Sequence, residues 1–522
     1  MLSISSGHSA SYLTDAVAAG RENYYTGAVA AGEPPGRWWG RGARRLGLAG
    51  LVDAQDMTAL YERFIDPRDE RFRDPSRWDE AKTLGHTGRR YLSAEEIYAA
   101  ALKAEPGASP ERRAELEVEA GKKARKNVAF VDATFSVQKS VTVLHTAFEA
   151  QEVKARGAAE AALAALEQAV QCGDTGAVRQ HTKALRAAET EAAGWAQHRR
   201  AVEDAIWTGN QAALEYLSEK AGYSRVGHHG GAAGRWVDAH DWVVASFFQH
   251  DSRDHDPQLH IHNAILNRVE GSDGTWRTLD SKALGKYRGA AAAVGERITE
   301  QHLTHALGVE FKMRPDGKAR EIVGIDQAVM GLFSSRRRAI TRKTATLVKV
   351  FEAKFQRPPT PLELDRLQRK ATSATRKAKS HTGETVEQRL ERWDRELRAE
   401  VRGGLAQVAD HVLARRRRQP RVGRFSERKV LETALADVQE TTAAWTAADL
   451  TRAISDALPD HLGSMRPAKV TKVLDRLTER GLKLAVPRRV SPANFSRWLA
   501  AALTARAQNT SQGLFRRRRC GR

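Results

Sequence analysis

The 522-residue sequence predicts an α+β protein with a helical insertion and a helix-rich C-terminal region. Three observations predict it. Short apolar runs of strand length occur at Ala129 to Phe135, Trp242 to Phe248 and His260 to Leu266. Between the first run and the other two lies a long proline-free stretch rich in Ala, Glu, Arg and Lys, with apolar residues at helical spacing. Beyond residue 330 the texture is helical and basic.

Residues 1 to about 148 mix helix and strand signals. Ala129 to Phe135 reads as a buried strand, with Ser136 as the N-cap of a helix beginning near Val137. In residues 150–222, Leu163, Leu166 and Val170 and then Val202, Ile206, Ala213 and Leu217 fall on helical faces, so two or three long helices are expected, broken at Gly173 to Gly176. Gly227 to Gly234 is a glycine-rich loop holding His228 and His229, and residues 291–308 return to helix and stop at Gly308. Residues 1–330 therefore read as one domain with an insertion at about 150–222. Residues 331–424 form a basic helical extension punctuated by Pro358, Pro359 and Pro361. Residues 425–500 form a small helical unit, for which a winged helix is one option, and residues 501–522 a disordered basic tail.

Lys plus Arg number 85 against 64 Asp plus Glu, a net charge of +21 that points to a polyanionic partner, nucleic acid or an acidic membrane surface. Two cysteines, Cys172 and Cys520, exclude a disulfide framework and a Cys-rich zinc module and fit a reducing compartment. No apolar run approaches the roughly 18 residues of a membrane span, and the N-terminus lacks the pattern of a secretory signal. A soluble intracellular protein is expected.

The strongest chemical signal is the stretch His250-Asp251-Ser252-Arg253-Asp254-His255-Asp256-Pro257-Gln258-Leu259-His260-Ile261-His262-Asn263. Alternation along a strand points His260 and His262 the same way, about 7 Å apart, with Ile261 turned to the core. His250 ends the preceding apolar strand, and an antiparallel return brings it beside the pair. Three neutral imidazoles can hold one divalent cation and leave positions open for substrate. His255 is a rival third ligand on a less rigid loop.

Tyr12, Tyr24 and Tyr25 are three of only nine tyrosines. A phenol with a pKa near 10 needs a nearby cation or base to act as a nucleophile on a phosphodiester; packing or base stacking is the alternative role. Asp132 lies among apolar neighbours in the first strand, where a carboxylate must be paired. It suits either a hydrogen bond to a metal-bound histidine or acceptance of a tyrosine proton.

Four blocks, in order, give the chain its resemblance to the MobF-type conjugative relaxases of the His-hydrophobic-His endonuclease superfamily. They are Ser11-Tyr12 with Asn23-Tyr24-Tyr25, then Arg37-Trp38-Trp39-Gly40-Arg41-Gly42-Ala43 with Leu46-Gly47-Leu48, then Asp132 to Val141, and finally His250 to Asn263. The resemblance covers roughly residues 1–310. It implies an antiparallel central sheet with flanking helices, the relaxase palm, and a helical finger region gripping DNA. It also implies site- and strand-specific nicking of single-stranded origin-of-transfer DNA through a 5′-phosphotyrosine link, followed by religation.

On this resemblance the metal ligands are His250, His260 and His262, the supporting acid is Asp132, Tyr12 is the first catalytic tyrosine, and Tyr24 or Tyr25 supplies the second. Magnesium or manganese is the expected cellular ion, with zinc, nickel and cobalt as chemical options. Accessory relaxosome proteins and a coupling protein are implied partners. The implied location is the bacterial cytoplasm, with translocation alongside the DNA as a further option. Arg37, Trp38, Arg41 and Lys139 are candidate DNA contacts, and the Arg336-Arg337-Arg338 and Arg415 to Arg418 clusters would add salt-sensitive affinity.

The sequence departs from the family pattern in several places. Leu13 stands where many relatives carry a tyrosine, the interval from Tyr12 to Tyr24 is long, the His250–His260 loop is one residue shorter, and residues 150–222 are expanded. No phosphate loop of the Gly-x-x-x-x-Gly-Lys-Ser/Thr type occurs, so no helicase motor is expected. A rolling-circle replication initiator and a non-enzymatic DNA-binding remnant are the alternative readings.

Overall fold

The computed structural model describes residues 1–14, 34–87, 91–124, 127–227, 234–377, 384–416, 423–441, 444–462, 465–485 and 515–516. The elements that build the site run in chain order. They are β1 (Leu2–Gly7), α1 (Ser11–Thr14), β2 (Arg37–Trp39), α2 (Arg41–Arg45), α3 (Ala54–Arg63), α4 (Ala94–Ala104), α5 (Pro110–Lys123), β3 (Phe130–Ser136), α6 (Lys139–Gln171) and α7 (Thr175–Ala221). The hairpin β4 (Tyr223–Val226) and β5 (Arg235–Asp238) comes next, followed by β6 (Val244–Asp251), β7 (Pro257–Leu266) and α8 (Ser281–Leu307).

Five strands form one sheet in the order β1-β3-β7-β6-β2, and every neighbouring pair is antiparallel. The α+β reading and the antiparallel sheet implied by the resemblance both hold. Side-chain alternation divides the sheet into two faces. Ala133, Phe135, Phe248, Ile261 and Ile265 face α6, α7 and α8, where Val141, Leu144, Phe148, Val202, Ile206, Val294 and Ile298 complete the larger core. Phe130, Phe247, Ala264 and Leu266 face the other way, under Met57, Leu60 and Tyr61 of α3 and beside Ala10 and Leu13. The tyrosine hydroxyl of Tyr61 ties α3 to the sheet, donating to Ala264 O at 2.7 Å and accepting from Ala245 N at 3.1 Å.

The two long helices fall where the sequence puts them. Gly173 turns the chain with φ 70°, and Asp174 caps α7 by accepting from Ala177 N. At 47 residues, α7 is about 70 Å long. It crosses α8 closely: a Cβ added at Gly209 would lie 2.6 Å from Gly295 O.

Two boundaries differ from expectation. Ser136 is not the cap of α6. It still pairs with His260 in the ladder, the helix starts at Lys139, and Glu321 Oε2 accepts from Ser140 N at 3.0 Å to serve the helix start. Helix α8 begins ten residues before residue 291, at Ser281, because Asp280 caps it there, whereas Gly285 and Gly289 mask its first turns in a propensity reading. It ends as expected at Gly308, in the left-handed conformation with φ 69°.

Farther along come α9 (Gln327–Leu332), α10 (Ser335–Phe355), α11 (Pro361–Ala374), α12 (Val386–Leu397), α13 (Gly404–Arg415), α14 (Glu427–Thr441), α15 (Ala447–Ala457) and α16 (Pro467–Leu484). The last three pack together through Leu431, Ile454 and Leu474 and share a core with α8. Arg297 of α8 is fully buried and donates to the carbonyls of Ser455, Leu458, Pro459 and Asp460 at the end of α15. A buried guanidinium is tolerated there because the unpaired carbonyls of a helix end surround it. Of the expected disordered tail, Phe515–Arg516 is described, paired antiparallel with Ala444–Trp445.

Candidate metal centre and nucleophile segment

Strand β7 is the middle strand of the sheet, and its ladder places His262 opposite Thr134 of β3 and Phe247 of β6. His260 and His262 share a face, and their rings meet edge to face with centroids 5.0 Å apart. Ile261 between them is fully buried on the helix side. Asp132 Oδ2 accepts from His262 Nδ1 at 2.7 Å, and the Thr134 hydroxyl donates to the same oxygen at 3.2 Å. His260 Nδ1 donates to Gln258 O at 2.8 Å. Both rings are thus held through Nδ1, which makes Nε2 the atom that can act as a metal donor, the arrangement by which outer hydrogen bonds set a ligand's tautomer. Asp132 is buried, and its Oδ1 has no hydrogen-bond partner among the described residues.

Lys139, expected as a DNA contact, spends its ammonium differently. It donates to Pro257 O at 2.7 Å and Gln258 Oε1 at 2.8 Å, bracing the start of β7 from the first turn of α6. Burial lowers its pKa to about 8.

His250 takes a different neighbourhood from the other two histidines. Alternation along β6 puts it on the same face as Phe248, the helix side of the sheet, opposite to the face of Phe247, His260 and His262. Its ring packs edge-on to Phe248, with centroids 4.9 Å apart, and lies 5.6 Å from the ring of His145 on α6. Ligand atoms of His145, Glu203 and His250 all come within 4.8 Å of one another, and all three residues are buried. Thus, of the three expected metal ligands, the structure brings His260 and His262 together and groups His250 with His145 and Glu203.

Glu203 accepts from His145 Nε2 at 2.9 Å and from Arg199 at 2.6 Å. Burial pushes its carboxyl pKa up, but the His145 hydrogen bond and the neighbouring positive charges outweigh that and hold it at about 2. His255 lies on the β6–β7 loop with φ 60°, its carbonyl accepting from Trp393 Nε1 of α12, so it serves as a loop corner.

Tyr24 and Tyr25, with His228 and His229, lie outside the described residues, and so does the side chain of Tyr12. The backbone of α1, which carries Tyr12, is described. Its neighbours Ala10 and Leu13 are fully buried in the core on the face that also carries Phe247 and Ala264, the face of His260 and His262. Among the expected DNA contacts, Arg37 is exposed and lies over the Trp207 ring at 5.1 Å, Trp38 is half-buried and stacks on Tyr61, and Arg41 pairs with Asp241 at 2.8 Å.

Solved structures similar to this chain include conjugative relaxase TrwC in complex with oriT DNA. The metal-free complex shares 20% identity, with a TM-score of 0.42, over 76% of this chain and 97% of that one. The copper-bound complex shares 20%, with a TM-score of 0.43, over 78% and 100%. TrwC bound to a 27-mer DNA comprising the recognition hairpin and the cleavage site shares 21%, with a TM-score of 0.40, over 78% and 100%. No curated protein matches. The model of the TrwC relaxase family matches residues 6–194 and 190–400, which together are most of the chain.

The chain belongs to the TrwC relaxase family.

As a TrwC-family relaxase it carries the described parts of its four sequence blocks on α1, on β2–α2, and on the β3–β7–β6 ladder with the start of α6. Sequence reasoning did not find His145 and Glu203. Each was visible only as a polar residue on an otherwise apolar helix face, beside Leu144 and Val202, and 58 positions separate them. The role of Gln258 O in holding His260 was equally hidden, because a backbone carbonyl leaves no signature in residue type.

Proposed function

We propose that this relaxase nicks single-stranded origin-of-transfer DNA by tyrosine transesterification and later reseals it. The observation that carries the proposal is the His260–His262 pair, fixed through Nδ1 by Gln258 O and Asp132, on the sheet face where α1 is anchored. The donor set fits a divalent cation: two imidazoles whose Nδ1 hydrogen bonds make Nε2 the donor atom, with His250, whose ring lies on the helix side of the adjacent strand, as the third ligand that the resemblance implies. A cation bound there would polarise the scissile phosphate. Nitrogen donors suit manganese, zinc, nickel or cobalt, and magnesium is the abundant cellular option.

The protein's own part is positioning and proton transfer. The phenolic oxygen of Tyr12 attacks phosphorus, the bond to the 3′ oxygen breaks, and the 5′ phosphate remains on the tyrosine. Asp132 Oδ1, buried and without a partner among the described residues, takes the phenolic proton. Because the phosphotyrosine conserves the bond energy, a 3′ hydroxyl can reverse the step. Tyr24 or Tyr25 would serve a second transfer. Origin-bound accessory proteins and a coupling protein belong to the same reading, as does a cytoplasmic site of action. No described helix is long and apolar enough to cross a membrane.

The test is incubation with a labelled single strand bearing the cognate origin and Mn2+. A covalent protein–DNA adduct that disappears in Tyr12→Phe supports the assignment. An adduct that persists in Tyr12→Phe and disappears in Tyr24→Phe moves the lead role to Tyr24.

A further inference from the structure

The geometry points to a second divalent-cation position on the helix side of the sheet, formed by His145 of α6, Glu203 of α7 and His250 of β6. Three donors of the types that hold zinc and cobalt converge there, their ligand atoms mutually within 4.8 Å. They come from three separate elements, so rigid packing and not one flexible loop sets the spacing. All three are buried, in a place where the surrounding apolar core would otherwise favour aliphatic side chains.

Paired charges surround the cluster. Glu149, Glu152 and Glu203 are all buried, and the one guanidinium buried among them is Arg199, bonded to both Glu152 and Glu203 at 2.6 Å. Arg156 reaches Glu152 from a half-exposed position, and Arg389 acts on Glu149 from α12. The three carboxylates are matched by the three guanidiniums, and Glu203 would ligate a divalent ion together with His145 and His250. The ion would take the place of the hydrogen between His145 Nε2 and Glu203 Oε1, while Arg199 keeps its bond to Glu203 and orients that carboxylate. Alternation along β6 keeps His250 on the helix side with Phe248, away from the face of His260 and His262. The inference touches the proposed nicking site only through this residue, which the family resemblance implies as that site's third ligand.

The experiment uses the full chain with His260→Ala and His262→Ala combined, which removes the other position. Titration with Co2+ is followed by visible d–d absorption and by the thermal unfolding midpoint. The expected result is one retained equivalent of Co2+ with low-symmetry bands and a raised midpoint, both lost when His145→Ala or Glu203→Gln is added. Glu203→Gln preserves side-chain shape, so its circular dichroism separates loss of ligand from loss of fold. If the double variant binds no Co2+, or if its bands survive both His145→Ala and Glu203→Gln, the helix-side position does not exist and the cluster is a hydrogen-bonded group without an ion. Failure of nicking in the double variant bears only on the His260–His262 site, so the two readings fail separately.

Discussion

Asp132 Oδ2 lies 2.7 Å from His262 Nδ1, joining the centres of two adjacent strands across the sheet. The contact explains why a carboxylate is tolerated in a strand whose neighbouring residues Val131 and Ala133 are buried. It makes His262 a stronger donor at Nε2 and fixes the ring plane. Thr134 adds a second hydrogen bond to the same oxygen.

Asp132→Asn should therefore weaken metal binding and nicking by about 10- to 100-fold without unfolding the protein, the usual cost of losing an outer partner of a ligand histidine. Isothermal titration with Mn2+ checks it. Unchanged affinity would show that the carboxylate does not act through His262.

Lys139→Ala should lower metal affinity by about tenfold, because the lysine braces Pro257 and Gln258, and Gln258 O holds His260. Single-strand affinity, measured by fluorescence anisotropy at fixed salt, should change little. A selective loss of DNA affinity would return Lys139 to the role of a phosphate contact.

Glu300 of α8 is fully buried and accepts from Gln138 Nε2 at 2.8 Å. Burial raises its pKa to about 7, the pull of Arg320 and Arg297 offsetting only part of the effect. The folded state thus binds this proton more tightly than the unfolded chain, where the ordinary value is 4.5. Its contribution to stability is fully present below pH 4.5 and declines as pH rises toward about 7. Glu300→Gln should flatten that slope in urea midpoints measured across this range, and an unchanged slope would contradict it.

Gly209→Ala should destabilise the fold by about 1–3 kcal/mol, because its Cβ has no room against α8 at Gly295 and Thr299. Gly157→Ala, with nothing near the added methyl, is the control and should be neutral or slightly stabilising. Equal unfolding midpoints for the two variants would contradict the close crossing.

Much of this arrangement was legible from residue order alone, for reasons that differ between elements. The period-two placement of His260 and His262 around Ile261 is a local property of a strand, so their shared face followed directly. The break at Gly173 was legible because a left-handed turn there needs a glycine, and one stands between two long runs of helical spacing. His250 was not legible in the same way. Alternation from Phe248 points its ring to the helix side, and what awaits it there depends on α6 and α7, which arrive from far away in sequence. Ser136 looked like a cap because its residue type fits one, but the ladder to His260 holds its backbone extended. The cap role passed to Glu321, 181 residues away from the Ser140 amide it accepts from.

The most direct measurement is peptide mapping by mass spectrometry of the covalent product formed between the full chain and a single strand bearing its origin, with Mn2+ present. The account predicts one phosphotyrosyl-linked nucleotide on the Tyr12 peptide, and no such product in the variant combining His260→Ala and His262→Ala. A clean nick that leaves no nucleotide on any tyrosine, or an adduct that forms equally well without those two histidines, would contradict it.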